Sequence, residues 1–404
     1  MTAKATAMSG LVDEAATLLP ALVRLRREIH SDPELGLELP RTQARILDAL
    51  APLELEITLG SALGSVAAVL RGGGQGPTVL LRGDMDALPM RERTGLDYAA
   101  DADVMHACGH DLHVAGLVGA AQLLHAHRHE LAGDVLFMFQ PGEEVGDGAA
   151  MMIEEGLLLL SGSVPVAAYG IHVVPGEYGI FSTRPGPIMA GSLELGVTVL
   201  GRGGHASAPH LTVDPVPVVA ELVTAMQAFV TRRFDVFDPV VLTVTQLRAG
   251  GAARNIVADT ATLGASIRVL SAAAQQKVQS ELPRLVSEIA AAHGCTAEVE
   301  LSLLCPATVN DEATTAGVFE VLRDTFGEER VWLTPNPVMG SEDFSYVLEQ
   351  VPGTYMFLRA SPPDADLSSI APNHSPDVVF DDAVLADQAA ALAQLAMARL
   401  RPAE

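Results

Sequence analysis

Cys108 and His110 stand two positions apart in the run Met-His-Ala-Cys-Gly-His-Asp at 105–111, just ahead of an apolar stretch of helical character. A thiolate and an imidazole at that spacing can share a metal ion, whereas a lone Cys-x-His is commonly a small buried hydrophobe beside a hydrogen-bonded histidine. Four other segments supply the remaining donors of a complete site: residues 81–89 with Asp84 and Asp86, 140–144 with Glu143 and Glu144, 170–172 with His172, and 372–376 with His374. Glu143 and Glu144 are adjacent, so in an extended segment their side chains point to opposite sides. One can ligate while the other takes a proton from metal-bound water; taken alone, the pair also fits a solvated loop. Asp84 and Asp86 project to one side, so that one can touch a ligand and the other anchor it. A metal-bound imidazole usually gives its second N–H to a carboxylate or carbonyl, which makes Asp86 a candidate for that role, although Asp-x-Asp before a turn is also ordinary loop chemistry. His172 and His374 are flanked by apolar or turn residues and suit the walls of a pocket; singly, each would pass for a satisfied buried histidine.

Other histidines carry less. His113, three residues past His110, would crowd the site as a further ligand and is expected to be structural. His125, His127 and His129 read as a solvated helix end. In the glycine-rich turn at 201–210, His205 sits among small residues that let backbone and imidazole approach a ligand closely. A second glycine-containing turn leads into Asn255. Arg268, in a predicted strand, can pair with a substrate carboxylate or form an ordinary ion pair.

These side chains need a scaffold. The chain has 404 residues, 49% of them hydrophobic, enough for two packed domains. Its net charge of −25 disfavours nucleic acid and anionic membranes. No secretory signal pattern or membrane-length apolar run is found, so a cytoplasmic location is expected. Three cysteines, Cys108, Cys295 and Cys305, point to reduced thiols without a structural disulfide, the latter two as buried small hydrophobes. Periodicity predicts helices over 11–29 and 114–124 and strands over 78–81, 134–139 and 164–171. Strands alternating with helices imply a mixed, mostly parallel sheet covered on both faces, with ligands gathering beyond the strands' carboxyl ends. Asp84, Glu144 and His172 each fall at or just past such an end. After the turn-rich 183–187, the pattern changes to strands at 192–200, 240–247, 261–270 and 297–303 with helices at 215–229 and 272–292, an α+β insertion. Alternation resumes with a helix at 311–326, a strand at 355–358 and a helix at 383–400. Residues 1–187 and 305–404 are therefore expected to form one discontinuous α/β domain, and 188–304 a smaller inserted one.

The segments RGDMDALPM, MHACGHD, FQPGEE, GIHVVPG, GRGGHASAPH, RNIVAD, GSEDFSYVLEQVPG and NHSP together resemble the amidohydrolase branch of the aminoacylase and carboxypeptidase-G metallopeptidase family, which includes hippurate and auxin-conjugate hydrolases. The resemblance implies a co-catalytic metallopeptidase fold with the insertion as a lid that pairs two subunits. It implies two divalent metals held by Cys108, His110, Glu144, His172 and His374, with Cys108 a candidate bridge. Zinc suits one thiolate with imidazoles and carboxylates, and manganese, cobalt or nickel fit the same donors. Other branches carry a ligand histidine where Asp84 stands and an aspartate where Cys108 stands, so Asp84 is not carried over as a ligand. Glu143 becomes the general base acting on a metal-activated water, Asp86 the orienting carboxylate, and His205 an oxyanion-stabilising group supplied across a homodimer. Asn255 and Arg268 are candidates for gripping the amino-acid part of a small N-acyl amino acid substrate. The implied reaction is amide hydrolysis of N-acyl or N-aroyl L-amino acids; a dipeptidase of the same fold and a non-catalytic metal-dependent binding protein are the alternatives.

Overall fold

The segment Thr-Val-Leu-Leu-Arg-Gly-Asp at 78–84 is buried on both faces, as only an inner strand can be. In the computed structural model, which describes residues 3–401, it ends the strand Gly74–Asp84 near the middle of an eight-stranded sheet. Four neighbours at the sheet centre, Ala132–Gln140, Gly74–Asp84, Ala167–Val174 and Gly353–Arg359, run parallel. Antiparallel pairs extend the sheet: Glu56–Leu59 with Val66–Leu70 beside Ala132–Gln140 on one side, and Phe181–Thr183 beside Gly353–Arg359 on the other. The short strand Val331–Leu333 completes it, parallel to Phe181–Thr183. The sheet is thus mixed, parallel where it is buried.

Side chains alternate between the faces of these strands. Val79, Leu81, Val135, Phe137, Phe139, Tyr169, Ile171, Met356 and Leu358 share one core with the helices Ala3–His30, His110–Ala126 and Val384–Arg399. The helix His110–Ala126 is apolar nearly all round, which fits burial among neighbours on every side. Leu80, Leu136, Met138 and Ala168, equally buried, occupy the alternate positions. Asp84, Gln140 and Val174 close their parallel strands at the same edge, so the loops that follow open on one side of the sheet.

Two compact units emerge. The first comprises the chain up to Ile188, Val309–Asn336 and the chain from Asp343 on; the second comprises Met189–Thr308 and Pro337–Glu342. The second unit is an antiparallel sheet of four strands in the order Val241–Ala249, Thr260–Val269, Gly191–Leu200, Thr296–Cys305. Its helices Pro215–Arg233 and Ala272–Ala292 share a core with the inward residues Leu193, Leu195, Val197 and Val199. Both helices start on side-chain caps: Asp214 accepts the Val216 N–H and Ser271 the Ala274 N–H. Residues 337–342 join this unit because the Ala190 N–H donates to the carbonyls of Val338 and Gly340. All three cysteines are buried and no disulfide joins them. Among the described residues, no helix is long and apolar enough to cross a membrane.

Candidate metal centre

Within the first unit, the carboxyl edge of the parallel strands gathers the predicted donors. Cys108, His110 and Glu144 each offer a donor atom within 4.8 Å of the others. Cys108 Sγ lies 3.3 Å from His172 Nε2, and His374 Nε2 lies 3.3 Å from Glu144 Oε1. Five residues from four chain segments therefore meet around one sulfur and one carboxylate.

Local backbone explains how they meet. Gly109, at φ 87°, is the N-cap of the helix that His110 begins, and a Cβ there would collide with a methyl of Val173. Only glycine allows the chain to turn between the two donors while packing on the neighbouring strand. His374 has φ 64°, a left-handed conformation that few non-glycine residues adopt and that concentrates at functional sites. Its N–H donates to the Ala107 carbonyl, which fixes it beside the cysteine loop.

Glu143 and Glu144 do not lie on an extended segment, as their adjacency suggested; they sit in a turn closed by the Gly146 N–H on the Glu143 carbonyl. Asp86 drives the curl, because its two oxygens accept the N–H groups of Glu143 at 3.1 Å and of Glu144 at 3.0 Å. The two side chains still separate. Glu144 joins the donor cluster, while a Glu143 oxygen comes within 4.8 Å of one on Asp343. Asp86 also stands 3.3 Å from His110 Nδ1, so one buried carboxylate orients both the imidazole and the glutamate turn.

The ring nitrogens divide by what they bond. His113 spends both: Nδ1 donates to Asp84, and Nε2 accepts the Val173 N–H at 2.8 Å. Although Asp84, His110, His113 and His172 converge within 4.8 Å, His113 has no lone pair left and is structural. Asp84 is likewise taken, by His113 on one oxygen and by Arg82 at 2.7 Å on the other. His172 differs. Its Nδ1–H goes to the Val173 carbonyl at 2.7 Å, which leaves the Nε2 lone pair directed at the sulfur.

Charge follows this geometry. Burial pushes the Cys108 thiol up to about 12, against the pull of His110. Burial opposes charge on His110 too, but Asp84 and then Cys108 outweigh it and hold the imidazole well above its ordinary value. Burial, with His113, holds His172 well below. Glu144 resists burial and is held low, chiefly by His374 and His110. Burial also opposes the Asp84 carboxylate, yet Arg82, then His110 and His113, keep it well below the usual range.

The donors fit a metal. Both nitrogens of His110 and Oε1 of Glu144 are buried and held by ion-pair contacts of 3.3 Å to Asp86, Asp84 and His374 that do not meet hydrogen-bond geometry, which leaves them suited to a bound cation. One sulfur, imidazoles and a carboxylate form a donor set suited to zinc and its neighbours.

Beneath the donors lies a network that the motifs contained but residue types alone did not single out. Arg82, 2% exposed, donates to Asp84 and, at 2.9 Å, to Gln140; Gln140 donates to Asp343 at 2.6 Å, and Asp343 also accepts the Ala149 N–H. The visible signal was an arginine inside an otherwise apolar strand.

The other predicted residues belong to the second unit. His205, on the short strand Gly204–His205, pairs with Ile256, and the Ala206 N–H donates to the Asn255 carbonyl, so His205 and Asn255 are neighbours. His205 Nδ1 accepts the Ser207 N–H at 3.1 Å. Arg268 donates to the hydroxyls of Ser192 and Ser266. It lies at the opposite end of its strand from Thr260, which pairs with Leu200 just before the His205 turn. At 3.3 Å per residue, those eight positions place Arg268 roughly 26 Å along the sheet from the turn.

Residues 80–398 match the model of Peptidase family M20/M25/M40. The chain is 37% identical over 388 residues to IAA-amino acid hydrolase ILR1-like 2 of Arabidopsis thaliana, covering 94% of this chain and 85% of that protein. It is 34% identical over 345 residues to N-acetyl-L-cysteine deacetylase of Bacillus subtilis, covering 85% and 81%. Among solved structures, the Bacillus subtilis YXEP protein, a dinuclear metal-binding peptidase, superimposes with a TM-score of 0.81 at 28% identity, covering 95% of this chain and 99% of that one.

Proposed function

This chain belongs to peptidase family M20/M25/M40, and from that premise we propose that it hydrolyses the amide bond of N-acyl or N-aroyl L-amino acids, releasing a carboxylic acid and a free amino acid. The observation that carries the reading is the convergence of Cys108, His110, Glu144, His172 and His374 around one sulfur and one carboxylate. These five residues would hold two divalent ions, zinc first, with manganese, cobalt or nickel suited to the same donors. When bound, the ions supply Lewis acidity toward the amide carbonyl and acidity to water. Two relatives, one named for IAA-amino acids and another for N-acetyl-L-cysteine, support substrates acylated on the amino group, although others of similar identity are named carboxypeptidases.

The chain's own residues divide the remaining work. Glu143 takes the proton of the attacking water and returns it to the leaving amine. Asp86 keeps the base in register by gripping the amides of both glutamates. His205, whose Nδ1 accepts the Ser207 N–H, carries its proton on Nε2 and can donate it to the developing oxyanion. Asn255 and Arg268 hold the amino-acid part. The separation of Arg268 from His205 along one sheet supports a homodimer through the second unit, in which His205 of the partner subunit completes the site. The protein acts in the cytoplasm on this reading.

Glu143→Gln tests the assignment: two metals per chain should remain by elemental analysis while turnover falls about 10²- to 10⁴-fold. Hydrolysis at the wild-type rate would remove Glu143 from the mechanism. Mixing refolded Glu143→Gln and His205→Ala chains, each inactive alone, should restore activity if His205 acts across the dimer; no recovery would place it within its own chain.

A further inference from the structure

Asn373 precedes His374, and its side-chain amide bonds to the backbones of two other donor segments. Its Nδ2 donates to the Cys108 carbonyl at 3.2 Å and to the Val173 carbonyl at 3.3 Å, and lies 3.7 Å from Cys108 Sγ. The orientation of the amide is fixed, because both carbonyls can only accept. The Val173 carbonyl is also the one that receives the His172 Nδ1–H and so aims Nε2 at the sulfur. One planar group therefore ties the peptide bearing the thiol to the carbonyl that sets the imidazole, across two segments distant in sequence. It does so from the residue beside His374, whose left-handed backbone is held by its own N–H on Ala107.

We infer that Asn373 is a positioning residue of the metal centre, whose amide sets the distance and direction between Cys108 Sγ and His172 Nε2, the N–H on the Cys108 carbonyl also lying near the sulfur. The inference rests on the proposed dinuclear site. Groups that orient ligands from outside the coordination shell typically change metal affinity by about 10- to 100-fold when removed. Asparagine is the residue the geometry requires. An aspartate has the same shape but only acceptor oxygens, which would face two carbonyls and a thiolate, and alanine would leave the carbonyls to water.

The test uses the full-length protein loaded with Co(II), whose bond to a thiolate gives a charge-transfer absorption in the near ultraviolet. Wild-type protein should take up two cobalt ions and show the band. Asn373→Asp and Asn373→Ala should melt cooperatively near the wild-type temperature, yet show a shifted or weakened band and at least one ion bound about 10- to 100-fold more weakly, with Asp the worse of the two. A band and affinity unchanged in both variants would overturn the inference. Should Asn373→Asp fail to fold, Asn373→Ala alone decides by the same band. A wild-type protein that binds no cobalt, or binds it without the thiolate band, would overturn the underlying metal reading, which is a separate result from a variant that behaves as wild type.

Discussion

Burial disfavours the Cys108 thiolate, and Asp84 with its neighbours favours the His110 imidazolium. A metal needs the deprotonated form of each, so binding releases protons. The sign follows: apparent affinity should rise with pH, by about tenfold per unit for each proton released. Titration calorimetry with Zn at two pH values one unit apart, repeated in buffers of different ionisation heat, measures both the affinity and the proton count. An affinity flat with pH would mean that neither group loses a proton. At this scale the sequence was most legible where residue type already names the chemistry: the thiol, the imidazoles and Glu144 lie together, while the glutamate pair sits in a turn and not on the extended segment expected. Asn373, Arg82 and Asp343 escaped, because an amide or an ion pair takes its role from which backbone groups surround it, and spacing does not encode that.

The helix His110–Ala126 carries a donor on its first residue, so its start must be held firmly. Asp111, the next residue, does this by accepting from Arg26 at 2.6 Å and from His30 at 2.8 Å, while Arg26 also reaches Asp382 at 2.9 Å just before the helix Val384–Arg399. Burial opposes the Asp111 carboxylate, but Arg26 and then His30 hold it far below its ordinary range. A carboxylate so depressed stabilises the fold above its unfolded value of about 4, and that contribution is lost as pH falls below it. Asp111→Asn should therefore reduce stability by about 3–5 kcal/mol at neutral pH, since it removes the fully buried carboxylate that Arg26 and His30 share and leaves Arg26 with Asp382 as its remaining carboxylate. In urea denaturation, the gap between wild type and variant should narrow as the pH drops below about 4; a gap constant with pH would show that Asp111 is not the charged partner. Most long periodic elements were legible to within a few residues, the helix Ala272–Ala292 to its ends, but the first helix begins at Ala3, eight residues before the expected start at 11. The strands Phe181–Thr183 and Val331–Leu333 are too short to show a period, and the helix Pro40–Leu50, although it buries Thr42, Ile46 and Leu50 on one face, was not among the elements expected.

At the scale of the whole molecule, each unit has its own core; the donor cluster and Glu143 lie on one, and His205, Asn255 and Arg268 on the other. The discontinuous first domain was legible because strand and helix alternation resumes after the insertion. The return of residues 337–342 to the second unit was not, because it depends on carbonyls that meet the Ala190 N–H and carries no pattern of its own. Metal-dependent hydrolysis of acylated amino acids, the reaction proposed for this chain, is tested by release of free amino acid from a panel of N-acetyl, N-aroyl and indole-acetyl amino acids beside unblocked dipeptides. The protein is assayed as purified, after chelation, and after adding back Zn or Mn. The account predicts cleavage of one or more N-acyl members that chelation abolishes and metal restores, with dipeptides cleaved far more slowly; metal-loaded protein that cleaves only dipeptides, or no member at all, would contradict it.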